Sequence, residues 1–438
     1  MNAQCSKKRS RRGFARRWVA WLAAGALLAA VIGVTPAQAQ TVQRSDVPTM
    51  ADCLNRFHRI CLAPAQIYAA YGIDAVLRSG SKGQGRTIAI IDSFGSPTLR
   101  ADLHAFDAAF GLPDPRLTIL APLGDVHPRR SGWAAETTLD VEWAHAIAPA
   151  ARIVLLESPV AETEGAQGLP EFLTLERYAL QQHLADVISQ SWGATEDTLG
   201  NAAGRRIVAQ FHQFYADATA RGVTLVAGSG DEGAAGIDTS LTHVFPGRAV
   251  GYPASDPLVL AVGGTRLTVS AGGHIEGETA WAGSGGGISK LFAEPAYQRM
   301  LPAPVQRLLA GKRGLPDVAY NAAGASPVLI YLSGKWTVAA GTSAAAPQWA
   351  GLVALADSMA GRDLGLITPA LYHIAQSPRY AVDLRDITTG HSVGPIQGGR
   401  HLGGVGFRAT PGWDAVTGLG SPRAAALIPD LIRFDTAQ

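Results

Sequence analysis

Charged side chains are scarce in this chain: 16% of its 438 residues are Asp, Glu, Lys or Arg, against 47% hydrophobic. That balance excludes a solvated, disordered polymer and predicts an ordered globular protein with a large core. Cysteine is rarer still, with three in total. So few exclude a disulfide-stapled scaffold, and Cys53 and Cys61, with His58 the one histidine between them, fall short of the four ligands of a zinc site. No internal repeat and no low-complexity linker occurs, which excludes an array built from short units. Glycine, by contrast, is plentiful, with 50 residues marking many tight loops.

No acid occurs in the first 40 residues, where Lys7, Lys8, Arg9, Arg11, Arg12, Arg16 and Arg17 are gathered. An apolar stretch from Trp18 to Val34 follows, and then Ala37-Gln38-Ala39. Basic, apolar and A-x-A segments in that order predict a secretory signal over residues 1–39, cut after Ala39. The run Ser10-Arg11-Arg12-Gly13-Phe14 suits a twin-arginine signal as well as an ordinary basic start. Either predicts a secreted or periplasmic protein, and the apolar stretch is short for a retained span, so no stable membrane association is expected. Removing those seven residues takes Lys+Arg from 37 to 30 against 35 Asp+Glu, a net of about −5. A mildly acidic body argues against nucleic acid as a partner. In an oxidising compartment Cys53 and Cys61, eight apart, are expected to pair.

Residues 40–62 read as a short polar lead. From Pro64 apolar runs alternate with helical stretches. Arg86–Asp92, Ile153–Glu157, Val187–Ser191, Val223–Ala227 and Leu258–Val262 are continuous β-rich runs, as buried parallel strands require. Helical patterns span about Leu99–Phe110, Phe172–Leu184 and Arg205–Arg221. This βαβ rhythm predicts an α/β fold with a mostly parallel β-sheet and helices on both faces. Sites in such sheets gather beyond the carboxyl ends of the strands, where Asp92, Ser191-Trp192-Gly193 and Gly228-Ser229-Gly230-Asp231 fall.

Gly341-Thr342-Ser343-Ala344-Ala345-Ala346-Pro347 has the form of a nucleophile at a helix N-terminus. Small neighbours admit a substrate carbonyl, and free N–H groups face a developing oxyanion. A serine nucleophile needs a base. His145 is the best placed of eleven histidines, yet it sits on the apolar helix Trp133–Ile147, where a structural histidine is the commoner outcome. The same helix carries Glu136 and Asp140, four apart and therefore on one face. They are either a solvated acidic face or a partly buried pair. The apolar neighbours Ala135, Leu139, Val141 and Trp143, and the absence of Lys and Arg from 133 to 149, favour the pair. Touching carboxyls push one pKa upward, which suits general acid/base work.

With these motifs the chain resembles the sedolisins, the serine-carboxyl peptidases, which share the subtilisin fold but use glutamate where subtilisins use histidine. The resemblance runs from about Pro64 to Pro422. It is carried in order by Ala63–Gly72, Glu136-x-x-x-Asp140, Ser191-Trp192-Gly193, Ser229-Gly230-Asp231, Gly263-Gly264-Thr265, Ser284–Gly287 and Gly341-Thr342-Ser343. The His-Gly-Thr-His run of subtilisins is absent. The resemblance implies a peptidase domain over 63–438 with Ser343 as nucleophile, Glu136 as general base and then acid, and Asp140 orienting Glu136 and sharing its proton. It places Asp231 in the oxyanion hole, where only a protonated carboxyl can donate, so an acidic working pH is expected. It also implies a chain of contacts extended through Asp92 and Trp192. The shorter Asp92, where family members carry glutamate, leaves a plain strand-end aspartate equally open.

The resemblance further implies a C-terminal calcium-binding loop holding one structural ion, with carboxylates from Asp386 and Asp414 and carbonyls from Ile387, Thr410 and Gly412. The alternative is two turn aspartates capping a glycine-rich loop. Gly251 stands where an acid in some members favours basic side chains, so an uncharged or hydrophobic preference is expected. Gly283–Gly287 reads either as a wall pairing with peptide or as a plain loop. Family precursors carry a domain-sized prosegment, whereas about two dozen residues separate signal and domain here. Folding without a chaperone segment, or with one supplied by a partner, is the corresponding expectation. The leading expectation is thus an exported, monomeric acid endopeptidase acting on peptides or proteins. A non-catalytic peptide-binding relative and a neutral Ser-His-Asp hydrolase using His145 are the alternatives.

Overall fold

The apolar runs form the middle of one eight-stranded sheet in the computed structural model of the chain, which describes residues 46–126, 132–270, 272–393, 396–397, 400–401 and 406–435. The predicted signal lies outside the described residues. The strands are β1 (Thr87–Ser93), β2 (Arg116–Leu120), β3 (Arg152–Ser158), β4 (Val187–Gln190), β5 (Thr224–Gly228), β6 (Leu260–Val269), β7 (Ile275–Ala280) and β8 (Val318–Asn321). Their spatial order is β8-β6-β5-β4-β1-β3-β2, all parallel, with β7 antiparallel to β6. β1 pairs with both β3 and β4, so the carboxyl ends of β1, β4 and β5 come out side by side.

Period-two alternation divides these strands between two cores, because successive side chains leave opposite faces. Ile88, Ile90, Ile153 and Leu155 enter one core, while Ala89, Ile91, Val154 and Leu156 enter the other. Helices α2 (Trp133–Ile147) and α5 (Thr342–Ala360) pack together on the first face, joined by α1 (Leu99–Phe110). α3 (Leu169–Gln181) and α4 (Ala202–Thr219) cover the second. Every residue of α2 from Thr137 to Ile147 is buried, which excludes a solvated acidic face.

The α1 and α2 bounds coincide with the sequence patterns. The sequence patterns do not contain β2, β8 or the hairpin of Val328–Leu332 with Lys335–Ala339. The lead is more ordered than its polarity suggests. Met50–Phe57 is a helix closed by a Thr49–Asp52 capping box, and a Cys53–Cys61 disulfide ties it down. Cys53, Cys61 and Leu62 join the first core, and Leu62 bridges Val328. Among the described residues no helix is long and apolar enough to cross a membrane.

Candidate active site

Ser343 stands in the first turn of α5, two residues after Gly341 at φ +116°. A side chain at 341 would be strained at that φ, and its Cβ would fall 2.4 Å from Asp231 Oδ2. Glycine therefore lets the start of the helix approach the Asp231 carboxyl. Asp231 Oδ1 accepts from the Thr342 backbone N–H at 2.7 Å and from the Thr342 hydroxyl at 2.9 Å. The same hydroxyl oxygen accepts from Gly230 N–H at 3.1 Å, binding the loop after β5 to the helix. With Oδ1 committed as acceptor, a proton on Asp231 belongs on Oδ2. Burial raises this carboxyl's pKa, and the two Thr342 contacts pull it back in part.

Pro347, inside α5, has no N–H to give to the carbonyl four residues before it, which is that of Ser343. Ser191, just past β4, faces this gap: its Oγ donates to Asp140 Oδ1 at 2.9 Å and lies 3.4 Å from the Ser343 carbonyl. One hydroxyl thus ties the orienting carboxyl to the nucleophile's backbone.

Glu136 and Asp140 project from α2 toward the same place. Burial and the charges of Asp92 and Asp231 push Glu136 up to about 8, against a hydrogen bond with Ser343 that pulls it down. Asp140, fully buried, is held well above the usual carboxylate range by burial and by the charges of Asp92 and Glu136. Asp92 is pushed up to about 7, chiefly by burial. No cation figures among the influences on these four acids. Glu136 Oε1, Asp140 Oδ2 and both Asp92 oxygens are buried without a hydrogen-bond partner. Carboxyls in that condition must keep protons among themselves.

The structure therefore brings Ser343, Glu136, Asp140 and Asp231 together, with Asp92 beside them. The extension to Trp192 is not made, since Trp192 Nε1 is also buried without a partner. His145 is on the same helix but fully buried, with Nε2 3.0 Å from the Pro113 carbonyl and 3.4 Å from Asp107. Burial lowers its pKa, and its partners belong to a different part of the molecule.

Two cavities flank the nucleophile. One, of about 190 Å³, includes Ser343, Asp231, Thr195, Gly251, Glu164 and Glu232 in its lining. The other, of about 320 Å³, lies against Glu136, Trp133, Trp192 and Glu162. Gly285 and Gly286 wall the first, and a Cβ at 285 would collide with the Ser229 carbonyl at 2.1 Å, so this glycine run is tightly packed. The sequence gives no signal for Glu162 or Glu164, which reach the cleft from the segment between β3 and α3. Glu232 could have been found only as the neighbour of Asp231.

Near the C-terminus, Asp386 Oδ2 accepts from Gly412 N–H at 2.9 Å and Asp414 Oδ2 from Thr410 N–H at 3.0 Å. The loop at 410–412 is thus clamped between two carboxylates. Asp414 is pushed up to about 6, mainly by burial, and Asp386 Oδ1 is buried without a partner. Among the described residues no three His, Cys, Asp or Glu side chains converge as metal ligands. A cation here must therefore draw on carbonyls, and Ile387, Thr410 and Gly412 lie in the clamped segments. The unpartnered buried oxygen and the oxygen-only donor set fit a calcium ion.

Residues 131–370 match the model of the subtilase family. Kumamolisin of Bacillus sp. (strain MN-32) is 34% identical over 371 residues, covering 81% of this chain and 61% of that protein. Tripeptidyl-peptidase 1 of Homo sapiens is 32% identical over 312 residues, covering 68% of this chain and 52% of that protein. The chain spans about half to two thirds of the length of these curated relatives. A Pseudomonas sedolisin, described as a serine-carboxyl proteinase complexed with two molecules of pseudo-iodotyrostatin, superposes with a TM-score of 0.70 at 27% identity. That match covers 85% of this chain and 98% of the sedolisin. The chain belongs to the subtilase family and, within it, to the sedolisins.

Proposed function

From this membership and the site geometry we propose that the protein is an exported serine-carboxyl endopeptidase working at acidic pH. The observation that carries the proposal is the convergence on Ser343 of three carboxyls raised by burial, with no cation beside them.

In the reaction, Ser343 Oγ attacks the scissile carbonyl carbon and forms a C–O bond while its proton passes to Glu136. For Glu136 to serve as base, the proton left on the acidic pair resides on Asp140, and the two titrate as a unit. The carbonyl oxygen takes the negative charge and receives a hydrogen bond from protonated Asp231 Oδ2. The C–N bond then breaks, Glu136 returns the proton to the departing amine, and an ester on Ser343 remains. Water repeats the sequence: its proton goes to Glu136, its oxygen bonds the acyl carbon, and the ester C–O bond breaks as Ser343 Oγ regains a proton. Rising pH removes the Asp231 proton and the shared proton of the pair, so activity falls toward neutrality. A calcium ion held by Asp386, Asp414 and the carbonyls of Ile387, Thr410 and Gly412 would fix the C-terminal loop by neutralising its two acids.

The test is cleavage of an N-acetylated peptide library across pH by wild type, Ser343→Ala and Glu136→Gln. Internal cutting best at about pH 3–5, where carboxyl pairs share a proton, and a loss of roughly 10⁴-fold or more in Ser343→Ala are expected. Cutting only of peptides with a free N-terminus would replace the endopeptidase reading with a tripeptidyl-peptidase one. Full neutral activity in Glu136→Gln would overturn the mechanism.

A further inference from the structure

Taking the peptidase reading as its basis, we infer that the cavity beside Ser343 selects arginine or lysine as the residue whose carbonyl is attacked, with Glu164 and Glu232 as the specificity-determining carboxylates. Ser343 and Asp231 belong to the lining of this cavity, so the side chain that enters it is attached to the carbonyl held between them. Its volume of about 190 Å³ accommodates one long side chain.

The cavity's charge is of one sign. Its lining contains Asp231, Glu164 and Glu232 and no lysine, arginine or histidine. Gly251 contributes no side chain, which taken alone predicts an uncharged pocket. The antiparallel bridge that forms this wall sets Thr195 opposite Gly251. Thr195 holds Glu164: its N–H donates to Oε2 at 2.7 Å and its hydroxyl to Oε1 at 2.9 Å, with the Thr198 hydroxyl 3.3 Å from Oε2. A carboxylate is thereby fixed next to the glycine by three donors, which favour its ionised form. Glu232 also lines the cavity, with Oε2 accepting from Asp231 N–H at 3.0 Å. A guanidinium or ammonium between these acids gains charge-assisted hydrogen bonds that a neutral side chain lacks.

The selection depends on pH. Burial raises Glu164, and burial with the charge of Asp231 pushes Glu232 up to about 7. The other titratable groups facing them are Glu162 and Asp238, the latter 3.6 Å from His243. A bound cation favours the ionised acids, and this advantage grows as pH rises from about 4 toward 6. Preference for a basic residue therefore sharpens over the range in which turnover declines.

The experiment measures kcat/KM for peptides that differ only at this position, carrying arginine, lysine, citrulline, norleucine or phenylalanine. Wild type, Glu164→Gln and Glu232→Gln are compared at about pH 3.5 and about pH 5.5. Arginine should exceed its uncharged isostere citrulline by about tenfold or more at the higher pH and by less at the lower. Each glutamine variant should bring the ratio down, and a ratio is insensitive to the fraction of enzyme correctly folded. Equal rates for arginine and citrulline at both pH values, or a preference for norleucine or phenylalanine, would overturn the inference while leaving the peptidase reading intact. Absence of any cleavage that Ser343→Ala removes would instead overturn the peptidase reading itself.

Discussion

Two groups of acids in this fold are handled in opposite ways. Around Ser343, Asp92, Glu136, Asp140 and Asp231 crowd together without a cation, and several of their oxygens have no partner. Between Lys312–Leu315 and β8, Asp317 is as buried as Asp92 and Asp140 but meets Arg313 in a two-pronged ion pair of 2.8 and 2.6 Å. The Tyr372 hydroxyl at 3.0 Å and Ala261 N–H at 2.9 Å complete its hydrogen bonding. The guanidinium fixes the charge of Asp317, and that acid holds a strand junction together. Withholding a guanidinium leaves the other four acids able to exchange protons. Burial does not distinguish a structural acid from a catalytic one; the partner does.

Breaking each group should therefore fail differently. Asp140→Asn removes the shared proton's site but leaves no bare charge, so kcat should fall roughly 10³–10⁴-fold while the denaturant midpoint hardly moves. Arg313→Met strands the Asp317 charge in the core and should cost about 3–5 kcal/mol in urea unfolding, with little change in the pH profile of whatever enzyme remains folded. Asp231→Ala should lower kcat about 10²–10³-fold by deleting the oxyanion donor. Asp231→Asn keeps a donor at every pH, so its high-pH limb should extend toward neutrality; an unchanged limb would remove Asp231 from that limb's origin.

Stability should follow the same logic with a smaller effect. A carboxyl raised by folding holds its proton more tightly in the native chain than in the unfolded one. Its contribution is full below the unfolded value near 4 and is lost as pH climbs through the native values, about 7 for Asp92 and about 8 for Glu136. Melting temperature should thus drop by roughly 5 °C or more between about pH 4 and about pH 8. Chelation at fixed pH should lower it further if a calcium ion bridges Asp386 and Asp414, and an unchanged value would count against the ion.

Legibility in the sequence followed the range of the forces involved. α1 and α2 could be read to the residue because amphipathic or apolar runs ended at Gly111 and Pro149. The strands running into Asp92 and Glu157 announced themselves as unbroken apolar runs. β2 did not, because it is a partly exposed strand of Arg116-Leu117-Thr118-Ile119-Leu120 at the sheet's edge, and edges tolerate such mixing. β8 is only four residues long, too short for a pattern. The Glu136–Asp140 pair was visible because helix geometry fixes an i, i+4 contact locally. Glu164 was invisible, since its place beside Gly251 depends on a bridge between segments more than fifty residues apart.

The Thr342 hydroxyl, on the residue directly before the nucleophile, joins Asp231 to Gly230. Its consequence is evolutionary. Exchanging Glu136 for histidine alone yields a base suited to neutral water beside an oxyanion donor that has lost its proton there. Exchanging Asp231 for asparagine alone widens the pH range of the donor and leaves the base a carboxyl sharing its proton with Asp140. The two exchanges are therefore unequal as first steps: the asparagine exchange keeps base and donor matched, whereas the histidine exchange passes first through a mismatched pair.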